Sequence, residues 1–222
     1  MSSISRIYRS QVIAGVLLLW AAFCSGEDIA PTSKTGTVLV LGDSIAAGYG
    51  LDGNVAFPAL LQKKVDDAGL KFEVINAGVS GDTSAGGLRR IDWLLKRKCD
   101  VLLIELGGND GLRGLPVGAM ERNLQTIIDR ARSKYPRVQI VIAGMQMPPN
   151  LGRDYARSFQ QAFVAVAKKN NAALIPFLLE GVGGRADLNL ADSIHPTAEG
   201  HQIVAENVWK VLRPLLQKLD FH

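Results

Sequence analysis

Five short apolar runs, each followed by a stretch with helical periodicity, leave this chain few ways to fold. Residues 37–41, 72–75, 100–106, 138–143 and 173–177 are rich in Val, Ile and Leu with little alternation. That pattern belongs to strands buried on both faces, not to strands with one wet face. Between the first two runs, Phe57, Leu60, Leu61, Val65 and Ala68 recur at helical spacing, which predicts a helix over 57–68. Comparable stretches predict helices over 84–98, 116–134, 154–170 and 196–219. Pro116 is tolerated in a first helical turn, where its missing N–H has no partner to lose. Pro176 puts the fifth strand at an edge of the sheet. Strands alternating with helices imply an α/β fold, a parallel sheet covered on both faces in a three-layer α/β/α sandwich. Five strands are too few for a closed eight-stranded barrel, so the expected topology is the flavodoxin-like order 2-1-3-4-5.

The N-terminus follows a different rule. Arg6 and Arg9 precede an apolar run over 12–23, and Cys24-Ser25-Gly26 closes it with small residues. A basic start, a short apolar core and a small-residue end are the parts of a secretory signal peptide, here over 1–26. The run is short for a membrane span, which needs about 20 residues. An uncleaved anchor and a lipid on Cys24 are the alternatives, and the bulky Phe23 argues against the second. Residues 27–36 read as a flexible lead-in, and 37–222 as one domain exported to the periplasm or secreted. The chain has two cysteines, Cys24 and Cys99, so the domain is expected to hold one packed thiol and no internal disulfide. The net charge of +4 falls to about +2 without Arg6 and Arg9. No Lys/Arg cluster makes a nucleic-acid footprint.

In open parallel sheets, ligands sit beyond the carboxyl ends of the strands. The segments at those ends are polar and carry glycine. Gly42-Asp43-Ser44-Ile45-Ala46-Ala47-Gly48 follows the first strand. Asn76-Ala77-Gly78-Val79-Ser80-Gly81-Asp82-Thr83 follows the second, and Gly107-Gly108-Asn109-Asp110-Gly111 follows the third. Beyond the fifth, across a Gly-rich stretch, comes Asp192-Ser193-Ile194-His195-Pro196.

A serine hydroxyl is a weak nucleophile that needs an adjacent base. Imidazole suits that role near neutral pH and needs an acceptor on its other nitrogen to fix its tautomer. Ser44, His195 and Asp192 supply the three groups. The three-residue spacing lets one turn fold the carboxylate back onto the ring. Taken alone, Ser44 could cap a helix and His195 could simply begin one. Together, at the ends of the first and last strands, they point to catalysis. Acyl transfer also needs donors for an oxyanion. Those expected here are the N–H groups of Ser44 and Gly81 and the side-chain amide of Asn109.

This set resembles the SGNH hydrolases, also called GDSL-type esterases, in which Ser, Gly, Asn and His each mark one sequence block. Gly42-Asp43-Ser44 is similar to the first block, with Ile45 in place of the usual Leu. Gly81 is similar to the second block, Gly107-Gly108-Asn109-Asp110 to the third, and Asp192-x-x-His195 to the last. The resemblance spans about residues 37–215. Residues 108–114, Met147-Pro148-Pro149-Asn150, Tyr155 and Phe159 are similar to the acyl-CoA thioesterase I, lysophospholipase L1 and arylesterase branch. It implies a broad-specificity hydrolase of esters and thioesters that works through an acyl-enzyme without metal or organic cofactor. It further implies a loop over 111–116 that moves over the acyl chain, and substrate contacts from Asp110, Gly111, Leu112, Arg113, Met147 and Pro148. The substrate would be a small-molecule or lipid ester met in part at a membrane surface, and the protein a monomer. A carbohydrate O-acetyl esterase and a silent binding module share the same four blocks and remain alternatives.

Other signals carry less. Gly181-Val182-Gly183-Gly184-Arg185-Ala186 fits a dinucleotide pattern but opens no helix. Ser44 is not in G-x-S-x-G, which argues against the α/β-hydrolase elbow. The chain has three histidines, too scattered for a zinc site. His201 is expected on a helix surface. Asp43 is expected to hydrogen-bond to nearby backbone, not to act as the base.

Overall fold

A computed structural model describes residues 36–220. The expected signal peptide, Cys24 and nearly all of the expected lead-in lie outside them. The sheet is built from β1 (Gly36–Gly42), β2 (Phe72–Gly78), β3 (Val101–Glu105), β4 (Gln139–Ala143) and β5 (Ala173–Ile175). All neighbours pair in parallel, in the order β2-β1-β3-β4-β5. Five central side chains, Val38, Val40, Leu41, Val101 and Leu102, are completely shielded from solvent, as the unbroken apolar runs require. Pro176 lies just past the edge strand, where its missing N–H removes no ladder bond.

The long helices are α2 (Phe57–Asp67), α3 (Ser84–Leu94), α5 (Val117–Lys134), α6 (Arg153–Lys169) and α7 (Ala198–Asp220). Two short ones, α1 (Ser44–Ala47) and α4 (Gly108–Leu112), lie in the segments that follow β1 and β3. Helix α2 packs on α7, while α3 packs on α5 and α5 on α6. The crossover from β1 runs outward to β2, and the one from β2 runs back to β3. Right-handed connections therefore put α2 and α3 on opposite faces. The chain reverses direction between β1 and β3, and a crevice opens there beyond the strand ends. Helix α3 stops at Leu94, short of the expected 98, because its last turn tightens: the Lys96 N–H bonds the Trp93 carbonyl at 3.2 Å. Among the described residues, no helix is long and apolar enough to cross a membrane.

Two isolated residues settle differently. Cys99 is buried, and burial, reinforced by the charge of Asp100, pushes its thiol up to about 12, so it is the inert packed thiol expected. His201 is not a surface residue. It is 1% exposed, and its Nδ1 accepts the N–H of Phe57 at 3.2 Å. The reason lies in α2, whose N-cap Ala56 has no side-chain acceptor to offer. The first N–H groups of a helix need partners, and the imidazole reaches across from α7 to supply one.

Candidate active site

The site grows from the end of β1. Asp43, not Ser44, is the N-cap of α1, and its Oδ1 accepts the Ile45 N–H at 3.0 Å. Ser44 is thus free of the capping task, the first residue of the helix and 8% exposed.

Glu105 braces this turn from below. It ends β3, is wholly buried, and its Oε2 accepts the N–H groups of Asp43 (3.0 Å) and Ala46 (3.2 Å), on either side of Ser44. Burial, and then the nearby charge of Asp43, push the Glu105 carboxyl well above its ordinary range, so it sits as the neutral acid. Burial also raises Asp43 to about 6. A side-chain hydrogen bond between the two carboxyls favours the proton on Glu105 and the charge on Asp43.

An imidazole arrives at Ser44 from the other end of the chain. His195 Nε2 lies 2.8 Å from Ser44 Oγ, across 151 residues of sequence. Its Nδ1 lies 2.7 Å from Asp192 Oδ2, while Asp192 Oδ1 accepts the N–H groups of Ile194 (2.9 Å) and His195 (3.0 Å). Those bonds, led by the His195 backbone N–H and then its ring, hold the Asp192 carboxyl down at about 2. The carboxylate is therefore ionised at any working pH and claims Nδ1–H, leaving Nε2 as the acceptor for the serine proton. The turn is anchored twice: Leu190 N–H bonds the His195 carbonyl at 2.7 Å, and Asn189 Nδ2 bonds the carbonyls of Val182 and Arg185, both at 2.7 Å. Tyr49 lays its ring against His195, with centroids 4.4 Å apart.

The loop after β2 is tied to the same corner. Val79 N–H bonds the Gly42 carbonyl at 3.1 Å. Arg90 spans the strand ends, with Nη1 on the Ala77 carbonyl (2.5 Å), Nη2 on the Gly42 carbonyl (2.8 Å) and Nε on Asp82 Oδ2 (2.7 Å). Gly81 sits at φ +79°, in the left-handed region that disfavours side chains. No hydrogen bond within the described residues uses the N–H of Gly81 or of Ser44. Asn109 differs: its Nδ2 donates to the Asp82 carbonyl at 2.9 Å and to Asp43 Oδ2 at 3.1 Å. Its amide is thus aimed at the corner but engaged there.

The expected substrate contacts divide. Leu112 is 46% exposed, Pro148 is exposed, and Met147 is half-buried. Gly111 is glycine because a Cβ there would strike the Met147 sulfur. Asp110 faces away. It is 3% exposed, and its two oxygens accept the N–H (2.8 Å) and hydroxyl (2.6 Å) of Ser84 at the start of α3. The exposed Arg113 turns its guanidinium onto the Gly81 carbonyl at 2.9 Å. Glu105 and Arg90 are additions from the structure. A lone acid ending an otherwise apolar strand was the available signal for Glu105; Arg90, one arginine among several on a helix, had none.

A hydroxyl relayed through imidazole to an ionised carboxylate, beside two unused N–H groups at the switch point of a parallel sheet, defines a serine hydrolase site. The chain belongs to the GDSL-like lipase/acylhydrolase family, whose profile matches residues 40–203. It is 46% identical over 181 residues to Esterase TesA of Pseudomonas aeruginosa, covering 81% of this chain and 89% of that one. It is 36% identical over 181 residues to thioesterase 1/protease 1/lysophospholipase L1 of Escherichia coli, covering 81% and 85%. An arylesterase of Vibrio mimicus is 36% identical over 172 residues, covering 77% and 85%. A crystal structure of TesA superposes with a TM-score of 0.77 at 46% identity, over 81% of this chain and 99% of that one.

Proposed function

We propose that this protein hydrolyses carboxylic esters and thioesters, aryl esters, acyl-CoA and lysophospholipids among them, through an acyl-enzyme on Ser44. The observation that carries the reading is the unbroken path from Ser44 Oγ through His195 to Asp192, with contacts of 2.8 and 2.7 Å. His195 Nε2 takes the serine proton as Oγ attacks the acyl carbonyl. The N–H groups of Ser44 and Gly81 hold the oxyanion, and Asn109 joins them by turning one amide hydrogen from Asp43. His195 then returns the proton to the leaving alcohol or thiol, and water attacks the acyl-enzyme by the same route in reverse. The names of the relatives support esters and thioesters as the substrate class. Leu112, Met147 and Pro148 offer the acyl chain an apolar side, which favours this reading over an acetyl-only esterase. Arg6, Arg9 and the apolar run after them support export to the periplasm as a mature chain from about residue 27. Ser44→Ala is expected to abolish hydrolysis of p-nitrophenyl butyrate and labelling by a fluorophosphonate, with the unfolding midpoint retained. Normal turnover by that variant refutes the assignment.

A further inference from the structure

We propose that Arg113 is a positioning residue for the oxyanion donor Gly81, acting on the peptide and not on the substrate. This rests on the esterase reading above and names the part of the site that aims one of its donors.

Arg113 follows α4 on the segment that family resemblance assigns to the acyl chain. Its side chain is exposed, the usual state of an arginine that waits for an anionic ligand. The structure gives it other work. Nη2 donates to the Gly81 carbonyl at 2.9 Å, while Asn109, four residues earlier, donates to the next carbonyl, that of Asp82, at 2.9 Å. Residues four apart share one helix face, and the Arg113 N–H to Asn109 carbonyl bond (3.2 Å) holds that spacing. The two peptides that follow the oxyanion glycine, Gly81–Asp82 and Asp82–Thr83, are therefore held from one short helix.

Gly81 needs such holding. A glycine at φ +79° has the widest backbone freedom of any residue, and φ sets how its N–H is aimed relative to the peptide that follows. The residue itself offers no side chain to wedge it. A Cβ built there would meet only the Arg113 guanidinium, at 3.8 Å, and no other heavy atom within 4 Å. The guanidinium is thus the one group against that side of Gly81. The N–H of that same Gly81–Asp82 peptide bonds the Val79 carbonyl (3.0 Å), and Arg90 holds the Asp82 side chain. With its carbonyl end on Arg113 and its N–H end on Val79, the Gly81–Asp82 peptide is the fixed base from which Gly81, through φ, carries the N–H of the preceding peptide. Preorganised donors work because they need no reorientation as charge develops, so loosening this one weakens the transition state more than the ground state.

The test is Arg113→Met, which keeps the apolar stem and removes the donors. Because the side chain is exposed, the variant is expected to unfold at the wild-type urea concentration. On neutral p-nitrophenyl acetate and octanoate alike, kcat falls about tenfold, the effect of losing about 1.4 kcal/mol of transition-state stabilisation. KM stays within about twofold, and an arylboronic acid, which mimics the tetrahedral intermediate, binds more weakly by a similar factor. An unchanged kcat overturns the proposal. So does a loss confined to the octanoate, or one carried by KM, since either places Arg113 on the substrate. Wild-type protein that neither turns over these esters nor takes a fluorophosphonate defeats the esterase reading itself, a result distinguishable from any of these.

Discussion

Protonation of His201 is a perturbation whose energetic cost the structure sets directly. The imidazole is 1% exposed and accepts the Phe57 N–H through Nδ1. Burial, and to a lesser degree the charge of His195, lower it from 6.5 to about 4. Its folded value lies below its unfolded one, so its contribution to stability is complete above about pH 6.5 and is lost as pH falls through about 4. At about 1.4 kcal/mol for each tenfold in proton affinity, the whole contribution is ~3 kcal/mol, a large share of a typical domain's stability. His201→Asn isolates it, because Oδ1 can replace Nδ1 as acceptor for Phe57 and the amide does not titrate. Urea unfolding of both proteins from pH 8 to pH 4 is the assay. The wild type is expected to lose ~3 kcal/mol more than the variant across that range. Asp43, raised to about 6, acts with the opposite sign: its contribution is full below 3.8 and lost as pH rises through about 6. It is present in both proteins and cancels from the comparison. Parallel curves for the two proteins refute the assignment.

Three further outcomes follow from the site. Asn109→Ala is expected to lower kcat by about 10²–10³, as loss of an oxyanion donor does; a loss below about threefold in steady-state kinetics removes Asn109 from the hole. Glu105→Leu strands the N–H groups of Asp43 and Ala46, at about 1–3 kcal/mol each, whereas Glu105→Gln keeps an acceptor for them. The two variants should differ clearly in urea midpoint, and equal midpoints contradict the bracing role. Asp192, held at about 2, stays ionised throughout the working range, so its titration should leave no mark on the kcat–pH profile. An acid limb that disappears in Asp192→Asn contradicts that ionisation.

The sheet and its order were legible because strands buried on both faces leave unbroken apolar runs, as in β1 and β3. Ser44, Asp192 and His195 were legible because the parallel sheet dictates where chain ends meet. What the sequence hid depends on partners distant along the chain. Glu105 bonds an N–H 62 residues away, and His201 one 144 residues away. Helical periodicity cannot say that a buried imidazole is needed to serve another helix's first turn. The direction of a side chain was equally hidden: Asp110 and Arg113 sit in the expected segment, yet one faces α3 and the other a peptide.

On the proposed mechanism, the 151-residue interval between Ser44 and His195 also makes catalysis a late property of the folding chain. A polypeptide emerging from a ribosome or a membrane pore amino end first presents its serine long before any imidazole exists to awaken it. Esterase chemistry switches on only when the carboxyl-terminal quarter docks, so turnover doubles as a report of completed assembly, and a chain cut short before His195 is silent toward every ester it meets.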